Sequence, residues 1–132
     1  MTLTVIRRWF DRLPNIEKDM PIVIVNGVAY TPRMILHEVM RGSPLGQRLQ
    51  MMVEAGSLGT TLQQEIQLAK IRLREILKRM PEQPLIATLM IPPKVYTPSQ
   101  LLREIEAQTQ VGMQWIQAEL QHARRLLALA RR

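Results

Sequence analysis

The pattern Tyr30-Thr31-Pro32-x-x-Ile35-Leu36-x-Glu38-Val39 returns as Tyr96-Thr97-Pro98-x-x-Leu101-Leu102-x-Glu104-Ile105, 66 residues further on (30 to 96), which is half of the 132-residue chain. The correspondence continues with Ser43 opposite Thr109, Leu45 opposite Val111 and Gly46 opposite Gly112. Upstream, with one residue of slip, Ile6-Arg7-x-Trp9-Phe10-x-Arg12-Leu13-Pro14 parallels Leu73-Arg74-x-Ile76-Leu77-x-Arg79-Met80-Pro81. Thr-Pro helix starts are common and apolar spacing is generic to helices, yet three blocks agree in order. The expectation is one domain, 1–132, with an internal duplication of 1–66 and 67–132. Each half reads as helix, proline stop, apolar extended stretch, Tyr-Thr-Pro helix, then a second helix begun by Ser or Thr.

The local chemistry supports that order. Val5, Ile6, Trp9, Phe10 and Leu13 recur at three- and four-residue spacing, so 3–13 is an amphipathic helix that Pro14 stops, with Arg7, Arg8 and Arg12 off its apolar stripe. Two β-prone runs then flank Asn26-Gly27, the pair that best tolerates the positive φ angles of a type I′ turn, which predicts a hairpin over about 21–31. In the second half Pro92-Pro93 stands opposite Asn26-Gly27 and cannot take those angles. The stretch 81–93, apolar from 85 to 91, is therefore predicted as a single extended strand or an irregular arm.

Thr31 and Ser43 are N-caps, each with proline at the first helical position, where the missing N–H costs nothing. Gly42 separates the two helices, the first burying Ile35, Leu36, Val39 and Met40 and the second running to about 55. After a loop over 56–61, the helix 62–80 carries Leu62, Ile66, Ala69, Leu73, Ile76 and Met80 at steps of 4, 3, 4, 3 and 4. This heptad seam is a candidate surface for self-association, but at under three heptads it is too short to be a coiled coil by itself. Thr97 and Gln100 form a capping box. The apolar side that follows (Leu101, Leu102, Ile105, Trp115, Ile116, Leu120, Ala123, Leu127, Ala130) can be read as one helix to the C-terminus with Gly112 as its weak point. The repeat instead places a helix start at Thr109. The predicted class is mainly α: a small helical domain with one β-hairpin, built from two degenerate helix–extended–helix–helix repeats.

Charge and chemistry narrow the function. Hydrophobic residues at 46% are too many for a disordered basic tail, and the absence of cysteine removes disulfide scaffolds, thiol catalysis, zinc knuckles and iron–sulfur sites. Eighteen Lys+Arg stand against 11 Asp+Glu, a formal +7. Only Lys18, Lys70, Lys78 and Lys94 are lysines, the rest being arginines whose planar forks grip phosphates and carboxylates in pairs. The cations gather on 70–79 and 124–132, with a smaller cluster at 7–12. Lys70, Arg72, Arg74, Lys78, Arg79, Arg124 and Arg125 are the candidate contacts to nucleic acid phosphates, positioning by charge without reading sequence. Five aromatics, Trp9, Phe10, Tyr30, Tyr96 and Trp115, must also serve the core and are too few for a base-stacking platform.

Catalytic sets are missing. His37-Glu38 has no second histidine four residues on, so the zinc-protease pattern fails. His122 has only Glu119 within a turn, and Glu104 and Glu106 face different directions on a helix. The segment 42–46 lacks the spacing and lysine of a phosphate loop, and Ser43, Ser57 and Ser99 sit at caps or loops. Residues 32–55 fit a DNA-reading helix-turn-helix poorly, with Glu38 where a small residue belongs and Arg48 near the place of an apolar anchor; its functional form would aim Gln47 and Arg48 at base edges. No enzyme activity, metal, cofactor or small-molecule substrate is expected. The N-terminus has its charge after a short apolar stretch, the wrong order for a secretory signal, and no apolar run approaches the roughly 20 residues of a membrane span. The expected location is cytoplasmic, or a virion if the chain is viral. The expected role is a non-enzymatic assembly subunit, oligomeric, with basic helical faces on nucleic acid, as in a nucleoprotein or virion-type shell. The alternative is an adaptor or assembly chaperone that binds partner helices or acidic surfaces without nucleic acid. A basic amphipathic helix on an anionic membrane ranks third.

Overall fold

The computed structural model describes residues 2–86 and 94–132. Among these the protein is mainly helical, with α1 (Thr2–Arg12), α2 (Pro32–Arg41), α3 (Pro44–Ala55), α4 (Leu62–Lys78), α5 (Pro98–Ala107) and α6 (Gln110–Ala128). Two strand pairs accompany them, β1 (Val23–Val25) with β2 (Val28–Tyr30) and β3 (Leu85–Ile86) with β4 (Val95–Tyr96). The chain forms two compact units, Met1–Leu68 with Gln121–Arg132, and Ala69–Leu120.

Of the stripe read from its spacing, α1 buries Ile6, Trp9 and Phe10 in the first unit, Leu13 just after the helix is buried as well, and Val5 is only half-buried. The Trp9 indole N–H donates to the Leu126 carbonyl at 2.8 Å, which satisfies the one polar atom that so large a buried ring brings with it. The hairpin turns where expected, with Asn26 at φ 52° and Gly27 at φ 78°, and pairs Val23 with Tyr30, Ile24 with Ala29 and Val25 with Val28. All three β1 residues are buried, without the usual alternation, and the Ile24 N–H donates to the Leu58 carbonyl at 2.8 Å on the far side from β2. A two-stranded ribbon is marginal alone, and here its inner strand is enclosed by the helical core.

In the second unit Thr97 and Gln100 make the capping box in both directions. The strand pair corrects one expectation. Leu85 pairs with Tyr96 and Ile86 with Val95, so the second half holds an antiparallel pair and not a lone strand. Prolines exclude a two-residue type I′ turn, but they do not prevent pairing of the residues on either side. The rest of the apolar stretch and Pro92-Pro93 lie outside the described residues.

The turns α2–α3 and α5–α6 are built alike at the 66-residue offset. Gly42 (φ 68°) and Gln108 (φ 53°) are the left-handed residues that end α2 and α5. The Ser43 hydroxyl accepts from Gly46 N–H (2.9 Å) and donates to the Glu38 carboxylate (2.8 Å). Thr109 accepts from Gly112 N–H (3.2 Å) and donates to the Glu104 carboxylate (3.0 Å). A Cβ on Gly46 would fall on the Glu38 carbonyl, 2.6 Å from its carbon and 2.9 Å from Val39 N. One on Gly112 would fall on the Glu104 carbonyl, 2.6 Å from its carbon and 2.9 Å from Ile105 Cα. Gly112 is thus not the weak point of a continuous helix. The helix breaks at Gln108, and the glycine is where the new helix crosses the old one backbone to backbone.

Glu82 fastens the start of α5. Its carboxylate accepts from the Ser99 N–H at 3.1 Å. That bond first, then the Ser99 and Thr97 hydroxyls and the Arg103 charge, hold Glu82 below the ordinary glutamate pKa. A depressed carboxylate stabilises above its unfolded pKa and loses that contribution as pH falls through its folded value. Glu82→Gln is therefore expected to lower the melting temperature slightly at neutral pH, with the gap to the unsubstituted chain closing in acid. A gap that persists or widens in acid contradicts this linkage.

Candidate polyanion interface

The predicted contact cations, on α4, just after it and on α6, separate into three groups. Arg72 is 1% exposed and pairs with Glu119 at 3.0 Å inside the second unit, so it belongs to a core ion pair and, contrary to the expectation, is out of reach of a phosphate. Arg74 pairs with Glu106 at 2.6 Å, Lys70 donates to the Glu106 carbonyl and to Gln108 Oε1, and Arg124 pairs with Glu65 at 3.1 Å. The side chains of Lys78, Arg79 and Arg125 are exposed and make no hydrogen bond or ion pair among the described residues. The predicted cluster is therefore mostly engaged with the chain's own acceptors. The spacing that put these cations on one helix carried no information about Glu106 or Glu119, which lie 32 and 47 residues away in sequence.

The heptad seam is likewise divided. Ala69 and Leu73 are buried and unavailable to a second copy, Ile66 and Ile76 are half-buried, and Leu62 and Met80 are exposed at 68% and 41%. The buried stripe of α4 is Leu68, Ala69, Arg72, Leu73 and Leu77, rotated from the seam because the helix faces the core of its own chain.

The smaller cluster in α1 is the more open one. Arg7, Arg8 and Arg12 are exposed and, with Leu3, Thr4 and Asp11, line a shallow groove along the outer side of the helix. Arg8 has no partner among the described residues, and Arg7 makes only a 3.6 Å contact to Met40 Sδ. Arg12 donates to the carbonyls of Leu129 and Arg132, acceptors that a helix end leaves unsatisfied. Asp11 is the one acid on this side, leaving the face with an excess of two positive charges (three arginines against one aspartate). Gln47 and Arg48 are exposed on α3, but the Glu38–Ser43–Gly46 packing between α2 and α3 is unlike a helix-turn-helix anchor.

One ionisable contact had no local signal. His122 Nε2 lies 2.9 Å from the buried Glu17 carboxylate, 105 residues away, joining the 3-10 turn Asn15–Asp19 to α6. His122 thus serves as a boundary residue with a structural partner. No helix among the described residues is long and apolar enough to cross a membrane. No family model, no curated protein and no solved structure matches this chain.

Proposed function

We propose that this chain is a non-enzymatic structural subunit of a larger assembly that holds nucleic acid by its phosphate backbone through the exposed side of α1. The observation carrying this reading is the row Arg7, Arg8 and Arg12 with a single acid among them, on a chain of net +7. Exposed arginines at helical spacing can follow a phosphate backbone with forked donors, and the charge excess favours association before any close contact. Lys78, Arg79 and Arg125 are additional cations whose side chains have no partner among the described residues, whereas Lys70, Arg74 and Arg124 would first have to leave their present partners.

Binding to duplex and single-stranded nucleic acid is expected to weaken steeply with salt. Arg7→Gln and Arg8→Gln should each reduce the slope of log affinity against log salt by about 1, uniformly across sequences. Arg72→Gln is unsuitable as a test because it disturbs the core. Affinity that is absent, or indifferent to salt, would overturn the reading. Light scattering with the ratio of absorbance at 260 and 280 nm reports whether the purified particle is an assembly and carries nucleic acid.

A further inference from the structure

We infer that the ligand of the basic surface on α1 is double-stranded nucleic acid, and that this surface runs on from the helix to Arg132, which Arg12 holds beside it. The inference rests on the phosphate reading of α1 and names the ligand class and a further part of the same site. All the residues concerned belong to the first unit. Arg7, Arg8 and Arg12 are exposed along the outer side of α1, with Asp11 as the acid among them.

Arg12 carries two roles on one fork. Its Nη1 donates to the Leu129 carbonyl at 3.0 Å and to the Arg132 carbonyl at 2.8 Å. Those contacts tie the 3-10 turn Leu129–Arg131 and the residue after it to the end of α1, across 117 and 120 residues of sequence. The remaining nitrogens, Nε and Nη2, make no hydrogen bond among the described residues and can face a phosphate. The Arg132 side chain is exposed and has no partner among the described residues, so it adds a fourth cation to the row. Arg131 turns toward α3 instead. Its Nη1 lies 3.4 Å from the Glu54 carbonyl, and the exposed Glu54 is the acid on that side, so neither belongs to this surface. Four arginines against Asp11 leave an excess of three positive charges (four minus one).

The rings of α1 decide between one strand and two. Single strands are held by bases stacked on exposed rings as well as by charge. Trp9 is 0% exposed, with its N–H on the Leu126 carbonyl. Phe10 is 8% exposed, and Lys18 and Arg33 lie over its ring at 5.0 and 5.3 Å. Neither ring is open to a base, and the groove residues and Arg132 include no other. Charge is then the main attraction. A duplex carries one phosphate per about 1.7 Å of its axis, against about 3.4 Å for either strand counted alone. Arginine forks without rings therefore favour the duplex, and they position on its backbone without reading sequence.

The test uses the full chain and fluorescence anisotropy with a labelled DNA duplex and with its single strand, each titrated at several salt concentrations. The duplex is expected to bind more tightly. Its log affinity should fall by about 0.9 per phosphate contact for each log unit of salt, against about 0.7 for the single strand. Arg132→Gln should lower the duplex slope by about 1, as Arg8→Gln does. Arg12→Gln should lower it by about 2, because Arg132 loses its place, and adding Arg132→Gln should then change nothing further. All three arginines are exposed, so the variants should keep the unsubstituted circular dichroism spectrum. Amide hydrogen exchange at 129–132 should quicken in Arg12→Gln and stay unchanged in Arg132→Gln, the mark of a positioning residue. Equal or tighter binding of the single strand, a slope indifferent to Arg132→Gln, or additive effects of Arg12→Gln and Arg132→Gln would overturn this inference. A response to Arg8→Gln in the same titrations would leave the α1 reading standing, whereas no salt-dependent binding by the unsubstituted chain overturns both.

Discussion

Glu119→Gln is expected to destabilise the protein by about 3–5 kcal/mol in urea denaturation, because it removes the carboxylate charge that faces the buried Arg72 guanidinium. Arg72 is 1% exposed and the Glu119 side chain 10% exposed, at 3.0 Å from each other. Taking a charge out of water costs several kcal/mol and is offset only by a close partner, so removing one partner is far worse than removing both. The pair Arg72→Met with Glu119→Leu should therefore recover most of the loss. Against a typical total of about 5–15 kcal/mol, the single substitution threatens folding at physiological temperature and the double one does not. If the single variant loses no more than the double, the guanidinium finds water or another acceptor, and the pair is not what keeps this charge in the core.

Gly112→Ala should destabilise by about 3 kcal/mol, and Gly46→Ala comparably, as measured by the same denaturation. Helix propensity alone predicts the opposite sign, since alanine is better than glycine in a helix by about 1 kcal/mol. Packing wins because the new methyl would overlap the Glu104 or Glu38 carbonyl, a backbone group that moves only with its whole helix. The equal response of two glycines 66 residues apart is the sharper part of this prediction. A stabilised or neutral variant at either site would show that the crossing can open at little cost.

These sites mark how far the sequence could be read. The helix starts at Thr31, Ser43 and Thr97, the Asn26-Gly27 turn and the buried side of α1 were legible because caps, positive-φ turns and helical spacing are local. The break before α6 was legible only through the repeat: Gln108 is not a residue that advertises a left-handed turn, whereas Ser43 opposite Thr109 marked a helix start. The pairing of β3 with β4 is not legible locally, because Pro92-Pro93 forbids only a tight turn and leaves the pairing of the flanking residues to the fold. At the candidate interface, the position of a cation along its helix carries no information about the acceptors that other elements bring to it. Arg74 and Arg124 look free on their helices, but Glu106 and Glu65 reach them from other elements.

By itself the sequence determined a mainly helical chain with a hairpin, two similar helix turns and an excess of seven positive charges. Those properties depend on neighbours along the chain or on composition, and both can be read directly. Only the tertiary structure decided which charges are spent. It drew Arg72 into the core, occupied Lys70, Arg74 and Arg124 with nearby acceptors, and left Arg7 and Arg8 exposed on α1 and the side chains of Lys78, Arg79 and Arg125 without a partner among the described residues. Charge is a property of the residue, but availability depends on whichever acceptor the fold brings within about 3 Å, often from dozens of residues away.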